Sequence, residues 1–271
     1  MKKDNKTYSA EHLLYLKKQK RTNLTVQAAR ILLLVIALGL WELLAGLEIV
    51  NPFITSSPSR ICKTIAELYG DGTLFYHIGV TLGETLAGFV IAVVGGYLIA
   101  LALWWSDTLR KILEPYIVVH NSLPKNALGP LVIIWCGTGS EAIITITVLI
   151  GIIIAIMNML SGFIATDKNK ILLLQSMGAG KLQILQKLVI PSSLPAFITM
   201  LKINVGMAWI GSIMGEYIVS KAGLGYLIVY GGQVFKLDLV MAATFILCLL
   251  AGVMYFLVVL LEKLTVKNDR R

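Results

Sequence analysis

Charged side chains are scarce in this chain of 271 residues: Asp, Glu, Lys and Arg together make up 14% of it, whereas hydrophobic residues make up 57%. The mean hydropathy of +0.80 is too high for an ordinary soluble domain. The shortage of charge therefore indicates a polytopic membrane protein. The length allows about six spans of about 20 residues each, with short loops and no separate soluble domain.

Cysteine is also rare. Cys62, Cys136 and Cys248 lie far apart and form no C-x-x-C pair, so the sequence supports neither a metal site nor a redox motif. It contains no H-E-x-x-H and no G-x-S-x-G motif, and no catalytic residue is predicted.

A nucleotide-binding loop is missing as well. Gly178-Ala179-Gly180-Lys181 resembles a phosphate-binding loop only briefly, because Leu182 stands where Ser or Thr is required and Gln175 where glycine is required. Transport against a gradient would therefore need an energy source outside this chain.

The apolar runs predict an all-α transmembrane fold of about six helices. The predicted membrane domain is residues 31–265, with spans at about residues 31–50, 81–105, 112–137, 142–163, 196–219 and 239–261. A basic tail, residues 1–30, precedes them. We expect this tail to lie on membrane lipid of the inner leaflet rather than to bind nucleic acid, since a membrane span follows directly.

Basic residues are unevenly distributed about these spans. With six crossings and both termini in the cytoplasm, most of the 24 Lys and Arg residues lie on the inner side. Those on the outer side are Arg60, Lys63, Lys221 and Lys236. This bias follows the positive-inside rule and predicts a multi-pass protein of the plasma (inner) membrane with cytoplasmic termini.

The third predicted span is interrupted by its own composition. It contains Pro115, Pro124 and Pro130, so a smooth helix is not expected. A rise of about 1.5 Å per residue from Pro115 places Lys125 roughly 15 Å deep, near the middle of the membrane. A cation at a helix break suits an anionic solute, although the ammonium group can also snorkel or donate to carbonyls that Pro124 frees.

Polar residues in the third and fifth spans are the candidates for a substrate pathway. They are Lys125, Asn126, Trp209, Ser212 and Glu216. For Glu216, a position at the outer interface or a structural pairing is the alternative.

Two G-x-x-x-G patterns predict close helix packing, because small residues let backbones approach. Gly79 and Gly83 form one at the start of the second span, and Gly211 and Gly215 form the other in the fifth span. For the fifth span, the packing partner is another helix, one candidate being its own copy across a dimer axis.

Residues 167–195 form the long polar and basic segment between two apolar runs in the second half of the chain. Residues 170–177 and 181–189 have helical composition, and the Gly178-Ala179-Gly180 triplet separates them. The segment therefore predicts two short helices that meet at a glycine corner. Leu182, Leu185 and Leu188 share a face that can fit a groove on a soluble partner.

The spacing within this segment resembles a known family. Gly178 is followed ten residues later by Leu188-Val189-Ile190-Pro191, similar to the cytoplasmic loop of permease subunits of binding-protein-dependent ABC importers, whose consensus is E-A-A, three residues, Gly, nine residues, I-x-L-P. Two further stretches extend the resemblance to the sulfonate, taurine and nitrate group: residues 123–131 with Trp135-Cys136-Gly137, and Gly215-Glu216-Tyr217 with Gly223-Leu224-Gly225-Tyr226.

The resemblance implies a type I ABC importer permease fold. The chain would be the channel-forming subunit, pairing with a second copy, with two cytosolic ABC ATPase subunits and with an extracytoplasmic substrate-binding protein. ATP and Mg would bind the ATPase, with no cofactor on this chain. The solute would be a small, anionic molecule such as a sulfonate, taurine or nitrate, although related permeases also carry neutral vitamin precursors.

The resemblance also assigns ATPase coupling to residues of the loop 167–195. These are Leu172, Leu173, Leu174, Gly178, Ala179, Leu182, Leu185, Leu188 and Pro191. Leu172-Leu173-Leu174 stands where the family has E-A-A, so the usual carboxylate contact to the partner is absent from this chain.

The alternative is a self-contained secondary transporter or channel driven by an ion gradient. Such a protein predicts two matching halves with broken helices and buried acidic residues at corresponding places. One clearly broken span, without an internal repeat of it, and a single conspicuous cytoplasmic loop favour the importer subunit.

Overall fold

The computed structural model describes residues 10–265, excluding the side chains of residues 10–13, 16, 52, 125 and 126. Every regular element in this range is helical, which confirms the all-α fold. The first nine residues of the predicted basic tail, and the basic residues after position 265, lie outside the described part of the chain.

The chain divides into two compact units, and the first ends at Lys63. It contains α1 (Ala10–Gly46), α2 (Pro52–Thr55) and the start of α3 (Pro58–Gly70). Helix α1 begins well before the span predicted from residue 31, so the described part of the basic tail is helical. Within this unit Glu42 accepts hydrogen bonds from the backbone N–H of Ser59 at 2.9 Å and from its hydroxyl at 2.7 Å.

The second unit, from Thr64, holds the helix bundle. Its long helices are α4 (Leu74–Trp105), α7 (Ser140–Ile164), α11 (Leu194–Val219) and α13 (Leu237–Thr265). Its shorter helices are α5 (Asp107–Ser122), α6 (Gly129–Cys136), α8 (Lys168–Ser176), α9 (Lys181–Ile184), α10 (Ile190–Ser192) and α12 (Leu224–Gln233).

Five of the described helices are long and apolar enough to cross a membrane: residues 17–46 within α1, and α4, α7, α11 and α13. The predicted third span is instead divided into α5, a 3-10 turn (Lys125–Leu128) and α6. Leu123, between them, has an extended backbone. Since Pro124 lacks an N–H group and disfavours the helical conformation of the residue before it, the break occurs where the sequence predicts it.

Helix α7 lies between α4 and α11 and packs along both. Its buried residues Ala155, Met159 and Phe163 belong to the main apolar core, which continues into α4, α11 and α13. A methyl group added at Gly211 of α11 would lie 2.6 Å from the Cα atom of Thr147 in α7. The two helices are therefore in backbone contact at this point.

The predicted close packing at the G-x-x-x-G patterns is confirmed for α11 and is not seen within this chain for α4. Gly211 and Gly215 both face α7 of the same chain, so a second copy is not needed to explain them. In contrast, no atom lies within 4 Å of a Cβ built at Gly79 or Gly83. The glycines of α4 that contact α7 are instead Gly88, Gly95 and Gly96, against Thr147, Ile152 and Ala155.

Alanine substitutions in α11 should distinguish a glycine that contacts α7 from a glycine with open space beside it. We expect Gly211→Ala to lower the free energy of unfolding by about 1–3 kcal/mol, because the added methyl group overpacks the contact with Thr147. Gly206 on the same helix has no atom within 4 Å of its added Cβ, so Gly206→Ala should be neutral or slightly stabilising. Thermal unfolding in detergent measures both; equal losses would contradict the close packing.

Candidate functional site

The loop of residues 167–195 begins with a capped helix. The Asp167 carboxylate accepts a hydrogen bond from the backbone N–H of Asn169 at 2.9 Å, as an N-cap residue does. After α8 ends, Gly178 adopts φ +80°, and the N–H of Ala179 donates to the carbonyl of Leu174 at 2.9 Å. This is the glycine termination common at helix ends, and it forms the corner that the sequence predicts.

The second half of the loop is also helical. The N–H of Gly180 donates to the side-chain oxygen of Gln183 at 3.0 Å, which satisfies one free amide before α9. A π-helical turn (Leu185–Val189) and α10 then lead into α11. Pro195 lies in the first turn of α11, where its missing N–H is not needed. The loop is thus a continuous helical elbow with a single sharp corner at Gly178.

Three of the predicted coupling leucines are exposed: Leu172, Leu173 and Leu182, at 61%, 60% and 54%. We call them the exposed loop leucines. Leu174 and Leu188 are half-buried against the main core, as is Ala179. Pro191 is exposed in α10.

The expectation that Leu185 shares an exposed face with Leu182 is wrong. Leu185 is only 4% exposed and belongs, with Ile184 and Val189, to the main apolar core. The physical reason is that the elbow lies against the ends of the spanning helices and needs an apolar face of its own for attachment. An i, i+3 pattern does not show which apolar face points inward.

Lys181 is a residue of the elbow to which the sequence assigns no structural role. Its ammonium group donates to the backbone carbonyl of Trp105 at 2.6 Å. It also lies over the rings of Trp104 and Trp105, at 5.8 and 5.4 Å from their centroids. These contacts tie α9 to the end of α4 through cation–π attraction and a hydrogen bond. The tryptophan pair at the end of a predicted span is the sequence feature that could have indicated this contact.

A second polar site surrounds Glu216, which is 1% exposed. Its carboxylate accepts hydrogen bonds from the backbone N–H groups of Gly225 at 2.6 Å and Tyr226 at 3.3 Å, in the first turn of α12. The preceding amides are also satisfied by side chains of α4: Leu224 donates to Thr81 Oγ1 at 2.7 Å, and Gly223 donates to His77 Nδ1 at 3.0 Å. We call His77, Thr81 and Glu216 the α12 cap.

Glycines make this cap possible. A Cβ at Gly225 would lie 2.8 Å from the Cβ of Glu216, and one at Gly223 would collide with the Glu216 carboxylate. Gly223 also has a positive φ of 110°. The segment 220–238 therefore contains a helix whose first turn is joined to two spanning helices. Of the alternatives for Glu216, the structural pairing is the one that these hydrogen bonds support.

Two of the remaining candidates for the substrate pathway, Trp209 and Ser212, lie inside the bundle. Trp209 is 4% exposed, and Ser212 is fully buried, with its hydroxyl oxygen accepting from Thr85 Oγ1 at 2.7 Å. Ser212 and Glu216 are one helical turn apart on α11. Ser212 is hydrogen-bonded to α4, and Glu216 is hydrogen-bonded to the first turn of α12. The side chains of Lys125 and Asn126 lie outside the described part of the structure. A pathway role for these five residues stays a prediction.

Comparison with known proteins identifies a family match over more than half of the chain. Residues 92–267 match the family described as the binding-protein-dependent transport system inner membrane component. The chain is 28% identical to the taurine transport system permease protein TauC of Escherichia coli, covering 80% of this chain and 81% of the relative. It is 31% identical to the formylaminopyrimidine transport permease protein ThiX of Halalkalibacterium halodurans, covering 69% and 74%.

The fold is similar to that of a solved transporter. An inward-facing structure of the MetNI methionine ABC transporter superposes with a TM-score of 0.64 and 18% sequence identity. The superposition covers 71% of this chain and 96% of the other. This likeness confirms a type I importer fold for the helices described above.

Proposed function

The chain belongs to the family of binding-protein-dependent transport system inner membrane components, and from this premise we propose how it is coupled to its energy source. It is the permease subunit of an ABC importer, and ATP hydrolysis belongs to a separate subunit. We propose that the elbow of residues 167–195 is the docking site for a cytosolic ABC ATPase.

The observation that carries this proposal is the division of the elbow into an exposed and a buried face. The exposed loop leucines offer a partner apolar side chains that the bundle itself does not use. On the opposite face, Ile184, Leu185 and Val189 pack into the core that contains α4, α7 and α11. A displacement of the elbow by the partner would therefore be transmitted directly to the spanning helices.

The mechanism is a rocking of these helices between inward-open and outward-open states. ATP-driven closure of the ATPase subunits pushes on the elbow, and its buried face moves the ends of α4 and α7. Because a ligand shifts a conformational equilibrium only by binding one state better, ATP and the loaded binding protein must both favour the outward-open state.

The complete assembly would contain two copies of this chain, two ATPase subunits and an extracytoplasmic substrate-binding protein. ATP and Mg would bind the ATPase subunits. Both termini and the elbow would lie in the cytoplasm, in agreement with the distribution of Lys and Arg. The α12 cap would then lie toward the outer side, where the binding protein delivers its solute.

A substitution at the Gly178 corner tests whether the elbow transmits the movement of the ATPase to the spanning helices. Valine at position 178 would be forced to φ +80°, a conformation that β-branched residues rarely adopt. Gly180, two residues later, has φ −74°, and neither glycine has an atom within 4 Å of an added Cβ. We therefore expect Gly178→Val to reduce ATP-dependent uptake by about tenfold or more, for a strain of about 1–3 kcal/mol, with Gly180→Val much closer to wild type.

Uptake in proteoliposomes containing the whole transporter, together with the amount of ATPase that co-purifies, measures this effect. Equal uptake by both valine variants would show that the shape of the corner does not matter for coupling. A permease that accumulates solute with no ATPase present would contradict the proposed function as a whole.

For the solute, we propose a small organic anion of the sulfonate type. The similarity to a taurine permease supports it, whereas the similarity to a formylaminopyrimidine permease favours a neutral molecule. If Lys125 receives the sulfonate group, Lys125→Met should weaken uptake of taurine by about tenfold, while Lys236→Met, at an exposed lysine without an ion pair among the described residues, should not. Initial uptake rates over a range of taurine concentrations measure this; unchanged kinetics would exclude Lys125 from the pathway.

A further inference from the structure

A cavity of about 510 Å³ lies between the elbow and the ends of α4, α5 and α7. Trp104 forms part of its apolar wall, and its polar lining is formed by Asp107, Arg110, Thr166, Lys168, Gln175 and Lys181. The volume is within the range of cavities that hold small-molecule ligands, about 300–1,000 Å³. Neither the coupling proposal nor the α12 cap uses this cavity.

Positive charge dominates the lining. Arg110, Lys168 and Lys181 face the cavity together with one carboxylate, that of Asp107. Asp107 pairs with the Nη2 atom of Arg110 at 3.0 Å, and its own side chain is largely exposed. Among the described residues, no carboxylate lies within ion-pair distance of Lys168 or Lys181. The cavity therefore carries more cations than its own acidic group can balance.

Arg110 supplies a second, independent sign of a ligand. Its Nε atom is buried and has no hydrogen-bond partner among the described residues. A buried N–H without an acceptor is unfavourable by about 1–3 kcal/mol, more for a charged group. Since Asp107 pairs with the Nη2 atom alone, other guanidinium N–H groups of Arg110 remain available to an anion, and phosphate oxygens are good acceptors for them.

The level of the cavity along the bundle indicates where such an anion would come from. Trp104 and Trp105 end the spanning helix α4, at the depth where tryptophan marks the membrane–water boundary. Basic pockets between spanning helices on the cytoplasmic side bind anionic lipid headgroups. The assignment of this end to the cytoplasm rests on the proposed function.

We propose that this cavity binds a phosphate group, with Arg110 as the forked donor and Lys168 and Lys181 as the flanking charges. The source is the headgroup of an anionic phospholipid of the inner leaflet or a soluble phosphate. Because Lys168 and Lys181 belong to the elbow whereas Arg110 belongs to α5, a bound phosphate joins the elbow to the bundle. The ligand thereby stiffens the connection through which the ATPase acts.

The test uses the purified full-length chain in nanodiscs of phosphatidylcholine that contain a small fraction of phosphatidylglycerol. Native mass spectrometry counts the lipids retained by the protein. We expect one phosphatidylglycerol to be retained in preference to phosphatidylcholine, and Arg110→Gln and Lys168→Gln each to weaken its retention by about fivefold or more. Lys187→Gln removes the same charge from an exposed position of the same elbow outside the cavity, and should leave retention unchanged.

A second arm distinguishes the two sources. Inorganic phosphate is added to the protein in nanodiscs of phosphatidylcholine alone, and the thermal unfolding midpoint is followed. A rise that Lys168→Gln abolishes identifies a soluble phosphate as the ligand, whereas phosphatidylglycerol retention without such a rise identifies the lipid headgroup. Lys168 is exposed and without an ion pair among the described residues, so its substitution keeps the fold even if Arg110→Gln does not.

The proposal is overturned if neither phosphatidylglycerol nor phosphate is bound preferentially, or if Lys187→Gln weakens binding as much as Lys168→Gln. Neither arm requires transport or the ATPase. A negative result therefore leaves the coupling role of the elbow intact, and a failure of ATPase docking would leave this binding result intact.

Discussion

Replacement of Glu216 by leucine is expected to remove most of the folded protein from the membrane. Leucine is similar in size but accepts no hydrogen bond, so the N–H groups of Gly225, which is buried, and Tyr226, which is half-buried, would be left without a partner. Each such group is unfavourable by about 1–3 kcal/mol. Because folded proteins are stable by only about 5–15 kcal/mol, a combined loss of about 2–6 kcal/mol is a large fraction of the total.

Two matched variants define the mechanism of this loss. Glu216→Gln keeps one carbonyl oxygen at the position of the carboxylate and should retain much of the stability. Glu141→Leu makes the same substitution at an exposed residue in the first turn of α7 and should be close to wild type. The measurements are the amount of protein in the membrane fraction and the thermal unfolding midpoint in detergent. A midpoint for Glu216→Leu equal to that of Glu141→Leu would show that the α12 cap is not needed for stability.

The α12 cap also shows what the sequence could not predict. Gly215-Glu216-Tyr217 and Gly223-Leu224-Gly225-Tyr226 both belong to the family resemblance, but nothing in their spacing indicates that they are in contact. Their contact depends on α11 turning back through residues 220–223 so that α12 begins beside the Glu216 side chain. The partners from α4, His77 and Thr81, are more than 130 positions away in the chain. Hydrogen bonds between distant helices leave no periodic signal.

Local features were predicted well, because their causes are local. The break at Pro124 follows from the missing N–H of proline, and the corner at Gly178 from a residue that tolerates positive φ. The apolar runs are long enough that α4, α7, α11 and α13 were found within a few residues, apart from the earlier start of α4 at Leu74. The burial of Leu185 is not predicted from the sequence, because it depends on which helices lie beside the elbow.

The second large effect is expected at the exposed loop leucines, where Leu173→Asp combined with Leu182→Asp should abolish binding of the ATPase. Both side chains are more than half exposed, so the change should not disturb folding. If the partner buries them, each leucine contributes about 1.5–3 kcal/mol of apolar burial, and a carboxylate in the same apolar groove is unfavourable in addition. The affinity for the ATPase should therefore fall by about a hundredfold or more.

Co-purification of the ATPase with the tagged permease, and uptake by the reconstituted transporter, would measure this loss. Leu264→Asp is the matched control, since Leu264 is even more exposed, near the end of α13, but lies outside the elbow. Retention of the ATPase by the double variant would show that the exposed loop leucines are not its docking surface.

Leu172→Glu tests the chemistry of the groove on the ATPase, because it places a carboxylate where the family consensus has one. If the partner's groove has become apolar to match three leucines, this substitution should reduce uptake, whereas a groove that kept a cation would tolerate it.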